Sequence, residues 1–295
     1  MDFRPDLIPT IRKLEIHAKR NALSLSLTGN WLSKIRGHGI EFSGYRQYVS
    51  GDDSGMIDWK ASVRSRKLLV KELNEEKSLN IYIMVDVSDT MCFGTTDKIK
   101  AEYAAELVSS LAFAALRSGE SVSLAMFSDK IRRFVPISQG IAHHPALMKA
   151  LSNPAMYGGR KNFGKCAAQL MSLMGQTGLV ILVSDFLNMD SEWDRYLKII
   201  AARYDLMCMM VRDPRDRRLP ESGEYVLSDI HTGQKLVIDA ADYAKPYKTF
   251  VEEEENRIRS LLLRARADFL VLETTDDYAK KLVKFMLLHA HRTGD

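Results

Sequence analysis

The sequence predicts an α/β protein, a doubly wound, mostly parallel sheet with a small N-terminal lobe of loops and short strands. Three observations carry that prediction. Leu79–Met91 (LNIYIMVDVSDTM), Gly178–Leu187 (GLVILVSDFL) and Tyr204–Pro214 (YDLMCMMVRDP) hold continuous apolar runs, as strands covered on both faces by helices require. Stretches of helical composition lie between them, so strand and helix alternate. The first two runs each lead to a carboxylate, Asp86 and Asp185, at the strand's C-terminal end, the edge of an open α/β sheet where ligands bind.

A chain of 295 residues can bury a full core, organised as one large domain or one large plus one small. The expected division is 1–76 for the lobe and 77–295 for the sheet domain. With 46% hydrophobic and 27% charged residues, extensive disorder is excluded. A net charge of +4, from 42 basic and 38 acidic residues, gives no argument for nucleic acid. No apolar run approaches the roughly 18 residues of a membrane span, and the start MDFRPDLIPTIRKLE lacks a signal-peptide core. A cytoplasmic protein is expected. Cys92, Cys166 and Cys208 show no CxxC spacing, so buried free thiols are expected rather than a disulfide framework or a zinc site.

In chain order, Asp6 to about Thr28 begins with the spacing of an amphipathic helix, and its last part fits helix or strand. Gly37, Gly39, Gly44, Gly51 and Gly55 then exclude a long helix, while EFSGYRQYV and KLLVKEL read as short strands. After the strand at Leu79, Asp97–Gly119 is a helix rich in Ala, Leu, Glu and Lys that stops at glycine. Ser121–Phe127 is a buried strand, and Ile131–Ile137 completes an antiparallel edge hairpin. His143 and His144 open a helix; neighbouring helical residues diverge by about 100°, so solvent-exposed or capping roles are expected rather than a shared ion. Gly158–Gly175 is a glycine-rich loop feeding a helix. Asp190–Arg203 is the next helix, and Arg215, Arg217 and Arg218 after the following strand read as a solvated loop. YVLSDIHTGQKLVI forms a hairpin turning at Thr232-Gly233. Asp242–Arg266 is a long helix whose Glu252–Glu255 run reads mostly as a solvated face. Asp268–Thr274 is the last strand, before a C-terminal helix capped by Thr275 or Asp276.

The loop after the first apolar strand has the spacing D-x-S-x-T: Asp86, Ser88, Thr90. Alternate positions put one carboxylate and two hydroxyls on one side of a short extended loop, and such hard oxygens suit Mg²⁺ or Mn²⁺. A plainer reading has Asp86 capping a turn while Ser88 and Thr90 satisfy loop backbone. The pattern resembles the metal-ion-dependent adhesion site of von Willebrand factor A domains, whose first motif is D-x-S-x-S. That resemblance implies an A-domain, Rossmann-like sheet, with Asp185 as the third motif. It places the second-motif Thr at Lys161, next to Asn162, where an ammonium with three donors and no lone pair replaces a hydroxyl. The implied metal set is therefore Asp86, Ser88, Thr90 and Asp185. Mg²⁺ is expected to bind weakly or not at all because Lys161 can reach between the carboxylates, unless Lys161 faces solvent and Asn162 supplies an oxygen.

Ahead of that strand stand Gly37, Gly39, Glu41, Phe42, Arg46, Tyr48, Gly51, Asp52, Asp53, Ile57, Asp58, Trp59 and Lys60. In this order they resemble the signature of the bacterial and archaeal family called domain of unknown function 58. The charges among Arg46, Asp52, Asp53, Asp58, Lys60 and Arg64 can pin the lobe by pairing. Arg46, Tyr48, Asp52, Asp53, Asp58, Trp59 and Lys60 can equally form a partner-binding surface.

Relatives of this family are commonly associated with MoxR-type AAA+ ATPases. The resemblance thus implies a non-enzymatic interaction or adaptor module in chaperone-like maturation or remodelling of client proteins, whose sheet-edge loops meet an acidic group of a partner. Two other classes compete. A Mg²⁺-dependent phosphoester hydrolase would use Asp86 and Asp185, but the sequence has no P-loop, G-x-S-x-G elbow or HExxH. A nucleic-acid-binding protein would use Arg64, Arg66, Lys67 and Lys71 beside Tyr48 and Trp59.

Overall fold

The computed structural model describes residues 39–49, 52, 55, 57–76, 78–175, 177–229 and 232–292. The helix expected from Asp6, together with Gly37, Gly51 and Asp53, lies outside the described residues, as do the side chains of Glu41, Phe42 and Lys71.

Strand β1 (Gly39–Gln47) pairs antiparallel with β2 (Leu69–Glu76), with an irregularity between Phe42 and Gly44. Between them runs α1 (Trp59–Ser65), which the glycine-punctuated sequence had not suggested. Asp58 starts it by accepting the N–H groups of Lys60 and Ala61, both at 3.0 Å. An Asp in this position satisfies donors that the first helical turn leaves without partners.

The principal sheet is formed by β3 (Asn80–Asp86), β4 (Ser121–Phe127), β5 (Ile131–Gln139), β6 (Leu179–Ser184), β7 (Asp205–Arg212) and β10 (Asp268–Glu273). Its order is β10-β7-β6-β3-β4-β5. All pairings are parallel except that of the edge strand β5 with β4. The side chains of β3 show why this sheet is covered twice. Ile81, Ile83 and Val85 enter one buried cluster, and Tyr82 and Met84 enter another. The first is completed by α2 (Lys100–Arg117), α3 (His144–Leu151) and α8 (Tyr278–Arg292). The second is completed by α4 (Phe163–Leu173), α5 (Trp193–Ala201) and the later turns of α7 (Ala240–Arg264). A strand apolar on both faces is what this placement demands. The short helix α6 (Pro214–Arg217) and a separate hairpin of β8 (Glu224–Ser228) and β9 (Lys235–Asp239) link β7 to α7.

Four local expectations need correction. His144 is buried, with Nε2 3.3 Å from the Ser109 carbonyl and its ring edge-on to Phe113. Asp277 starts the C-terminal helix by accepting the N–H of Ala279 at 3.2 Å, while Asp276 accepts from the N–H of Glu273 and from Lys281. Arg217 is not simply solvated, since it binds Glu255 in a bidentate pair at 2.9 Å and Glu273 at 2.7 Å. Glu255 is buried under that pair and so leaves the solvated face expected of its run. Both changes follow from α6, α7 and the end of β10 meeting at one corner.

Candidate functional site at the sheet edge

Strands β3 and β6 are adjacent, in the register Val85 to Val183. From β3 the chain proceeds to β4 on one side, and from β6 to β7 on the other. The crevice where strand order reverses in this way is the usual ligand position of open α/β sheets. Asp86 ends β3, and Asp185 follows directly after β6. Asp86 accepts from the Ser88 N–H at 2.9 Å and the Ser184 hydroxyl at 2.6 Å, and Asp185 accepts from the Leu187 N–H at 3.0 Å. Both aspartates are 0% exposed.

The glycine-rich loop delivers Lys161 to this pair. Gly158 and Gly159 have φ of 105° and 89°, a region where a side chain is strained. The Gly158 N–H donates to the Val87 carbonyl at 2.7 Å, and the Gly159 N–H to Asp89 Oδ1 at 2.7 Å. So fastened, the loop sends Lys161 Nζ to 2.6 Å from both Asp86 Oδ2 and Asp185 Oδ1, and it donates to the Leu187 carbonyl at 2.8 Å. An ammonium has three donors, and these acceptors occupy them. The side chain is 1% exposed.

Burial pushes the Lys161 pKa down, but the adjacent Asp185 and Asp86 outweigh it and hold the ammonium above its ordinary value. Burial likewise opposes ionisation of Asp185, yet Lys100 and Lys161 together keep that carboxyl well below the usual range.

Lys100 enters from the first turn of α2, where the helix dipole disfavours a cation. It reaches Asp185 Oδ2 at 2.9 Å and Asp216 Oδ2 at 2.7 Å. Asp216 also receives the Asp213 N–H at 3.0 Å as part of the capping box of α6. Charges therefore alternate in a buried row: Asp86, Lys161, Asp185, Lys100, Asp216. Sequence reasoning missed Lys100, Ser184 and Asp216. Lys100 stands among Lys98, Glu102 and Glu106 with nothing to set it apart, and the one available signal was a serine closing an otherwise apolar strand.

The Ser88 and Thr90 hydroxyls lie beside the row, 3.2 Å from each other. Asn162 points elsewhere, capping α4 through the Lys165 N–H at 3.1 Å. The edge is sealed rather than exposed, because Asp86, Ser88 and Asp185 are all buried. The resemblance of Asp86, Ser88 and Thr90 to an adhesion-site motif implies a divalent ion between the carboxylates, but the residues present do not fit one, since that position holds the donor-only Lys161 ammonium. Among the described residues no group of three or more His, Cys, Asp or Glu is placed to hold a metal.

In the lobe, Arg46 grips Asp52 through two hydrogen bonds of 2.5 and 2.8 Å, and Asp58 accepts the Tyr45 hydroxyl at 3.0 Å. Tyr48 is half-buried, and its N–H donates to the Leu68 carbonyl at 2.9 Å. Trp59 and Val63, four apart on α1, are 65% and 78% exposed. Lys60, Arg64, Arg66 and Lys67 are exposed around them.

The uncharacterized protein Rv1480 of Mycobacterium tuberculosis is 28% identical over 289 residues, covering 96% of this chain and 89% of its own length. An aerotolerance-related membrane protein of Bacteroides fragilis is similar in structure, with a TM-score of 0.50 at 12% identity over 73% of this chain and all of that one. A von Willebrand factor type A protein of Catenulispora acidiphila gives a TM-score of 0.41 at 12% identity, over 75% of this chain and 44% of that one. The likeness to the Bacteroides fragilis protein is one of fold alone, a mostly parallel six-stranded sheet flanked by helices. Among the described residues no helix is long and apolar enough to cross a membrane. Residues 44–257 match the family described as "Protein of unknown function DUF58", and with most of its length inside that match the chain belongs to this family.

Proposed function

We propose that this protein is a non-enzymatic interaction module working in the cytoplasm with a MoxR-type AAA+ ATPase, and that the lobe supplies its docking surface. The observation that carries this reading is the exposed Trp59–Val63 pair on a short helix, with exposed Lys60, Arg64, Arg66 and Lys67 in the same segment. Aromatic side chains and arginine are enriched at protein interfaces, and exposed apolar groups rimmed by charge mark such sites. The complementary surface is acidic and amphipathic. Against an enzymatic role stands the condition of Asp86 and Asp185, which are buried and engaged by lysines, with no face turned to a substrate. The sealed edge also moves the expected contact away from Asp86 and toward the lobe.

The test is affinity capture from the native cytoplasm with the full chain, comparing wild type with Trp59→Ala/Val63→Ser. Loss of the pair should cut recovery of the ATPase at least tenfold. Equal recovery by both proteins, or none by either, sinks the reading. Retention of nucleic acid that declines steeply with salt would replace it with an electrostatic nucleic-acid role for the same cations.

A further inference from the structure

We propose that the Lys161 ammonium is the resident cation of the sheet edge, a covalently tethered replacement for a divalent ion, so that Mg²⁺ and Mn²⁺ have no place there while Lys161 is present. Geometry is the first support. A hard divalent ion needs oxygens at about 2.0–2.6 Å, and Lys161 Nζ already stands 2.6 Å from both carboxylates. Ion and ammonium cannot share that position. Charge is the second support, because one positive group between two carboxylates supplies part of a cation's compensation, and Lys100 on the far oxygen of Asp185 supplies more. The third is the oxygen set that remains without the lysine. The Asp86 and Asp185 carboxylates, with the paired Ser88 and Thr90 hydroxyls alongside, are hard ligands in want of a cation.

The tether also does what an exchangeable ion cannot. Phe186 and Asn188 sit at φ of 55° and 51°, a strained region for residues with side chains. The Leu187 carbonyl between them is held by Lys161. A single ammonium thus joins the end of β3, the residue after β6, this strained turn and the glycine loop. The edge is fixed in one arrangement by the chain itself. This inference does not depend on what the lobe binds.

Titration of full-length protein with Mn²⁺, followed by the loss of the free-ion electron paramagnetic resonance signal, is the test. Wild type and Lys161→Met, which keeps the side-chain bulk, should leave millimolar Mn²⁺ free. Lys161→Thr, which vacates the position, should bind one ion per chain with at least a tenfold gain in affinity, lost again on adding Asp86→Asn. Wild-type binding that Asp86→Asn abolishes would overturn the proposal, as would a folded Lys161→Thr that binds nothing. Should Lys161→Thr be unfolded, its refolding by millimolar Mg²⁺ supports the proposal and failure to refold overturns it.

Discussion

At the sheet edge Asp86 and Asp185 hold Lys161 at 2.6 Å with all three side chains out of solvent, whereas in the lobe Asp52 holds Arg46 at 2.5 and 2.8 Å with both side chains reached by solvent. The distances are alike and the consequences are not. Water screens the lobe pair, and each partner can trade the contact for hydration at little cost. Inside the sheet edge no such exchange is available, so each charge depends on its neighbours in the row. Pairs of opposite charge therefore lock one region together and leave the other open for a partner.

Lys161→Met, which leaves Asp86 without its cation, should have the largest effect. It should cost about 3–5 kcal/mol, as loss of one partner from a buried pair does. Chemical denaturation would read this as a lower midpoint with unchanged slope, and a change below 1 kcal/mol would place the edge in the lobe's class. Acid and alkali give the next largest effect. Asp185 titrates below its ordinary value of 3.8 in the folded state, so the unfolded chain binds more protons as pH falls through that value. Stability should then drop by about 1.4 kcal/mol per pH unit for each extra proton bound. Lys161 is held above its ordinary 10.5, so its contribution is intact below that value and fades as pH rises beyond it. A stability profile level between these limits and falling outside them is expected; a profile centred on a histidine-like pH near 6.5 would contradict it.

Gly159→Ala disturbs the edge without touching a charge. At φ of 89° an added Cβ is strained and meets the Arg132 side chain, and a left-handed residue costs about 1–2 kcal/mol. The loss should appear as a lower melting temperature, and an unchanged value would mean that the loop adapts and does not hold Lys161. Arg46→Ala defines the small end of the scale. Arg46 itself is 42% exposed and Asp52 keeps the Val49 N–H, so thermal unfolding should change little, and a shift as large as that of Gly159→Ala would show the lobe to be as rigidly held as the edge.

Much of the edge could be read before any coordinates. The apolar runs of β3 and β6 placed Asp86 and Asp185 at one end of the sheet, and the adhesion-site resemblance added Lys161 to them. Lys100 and Asp216 could not be found that way, because they are 116 residues apart and each looks like an ordinary solvated charge in its own segment. Ser184 was hidden as the last residue of an apolar strand. The helix Trp59–Ser65 is too short to display a period, although Asp58 carried its capping signal. His144 was misplaced because a pair of adjacent histidines gives no sign of the Ser109 carbonyl that one of them reaches.

The central position of β3 shapes events while the chain is being made. Its pairing with β4, and that of β4 with β5, can form once residue 139 has emerged, but its other edge stays bare until Leu179–Ser184 follow. At roughly 5–20 residues per second that interval lasts a few seconds. A bare strand edge is a template for pairing with other chains. Ribosome-stalled chains ending near residue 170 should accordingly retain more chaperone than chains ending beyond residue 220, and equal retention would argue against an exposed edge. During the wait Asp86 lacks the Ser184 hydroxyl that later covers it. The negative charge that keeps the nascent edge in water is then the group that Lys161 draws inside when β6 closes the gap.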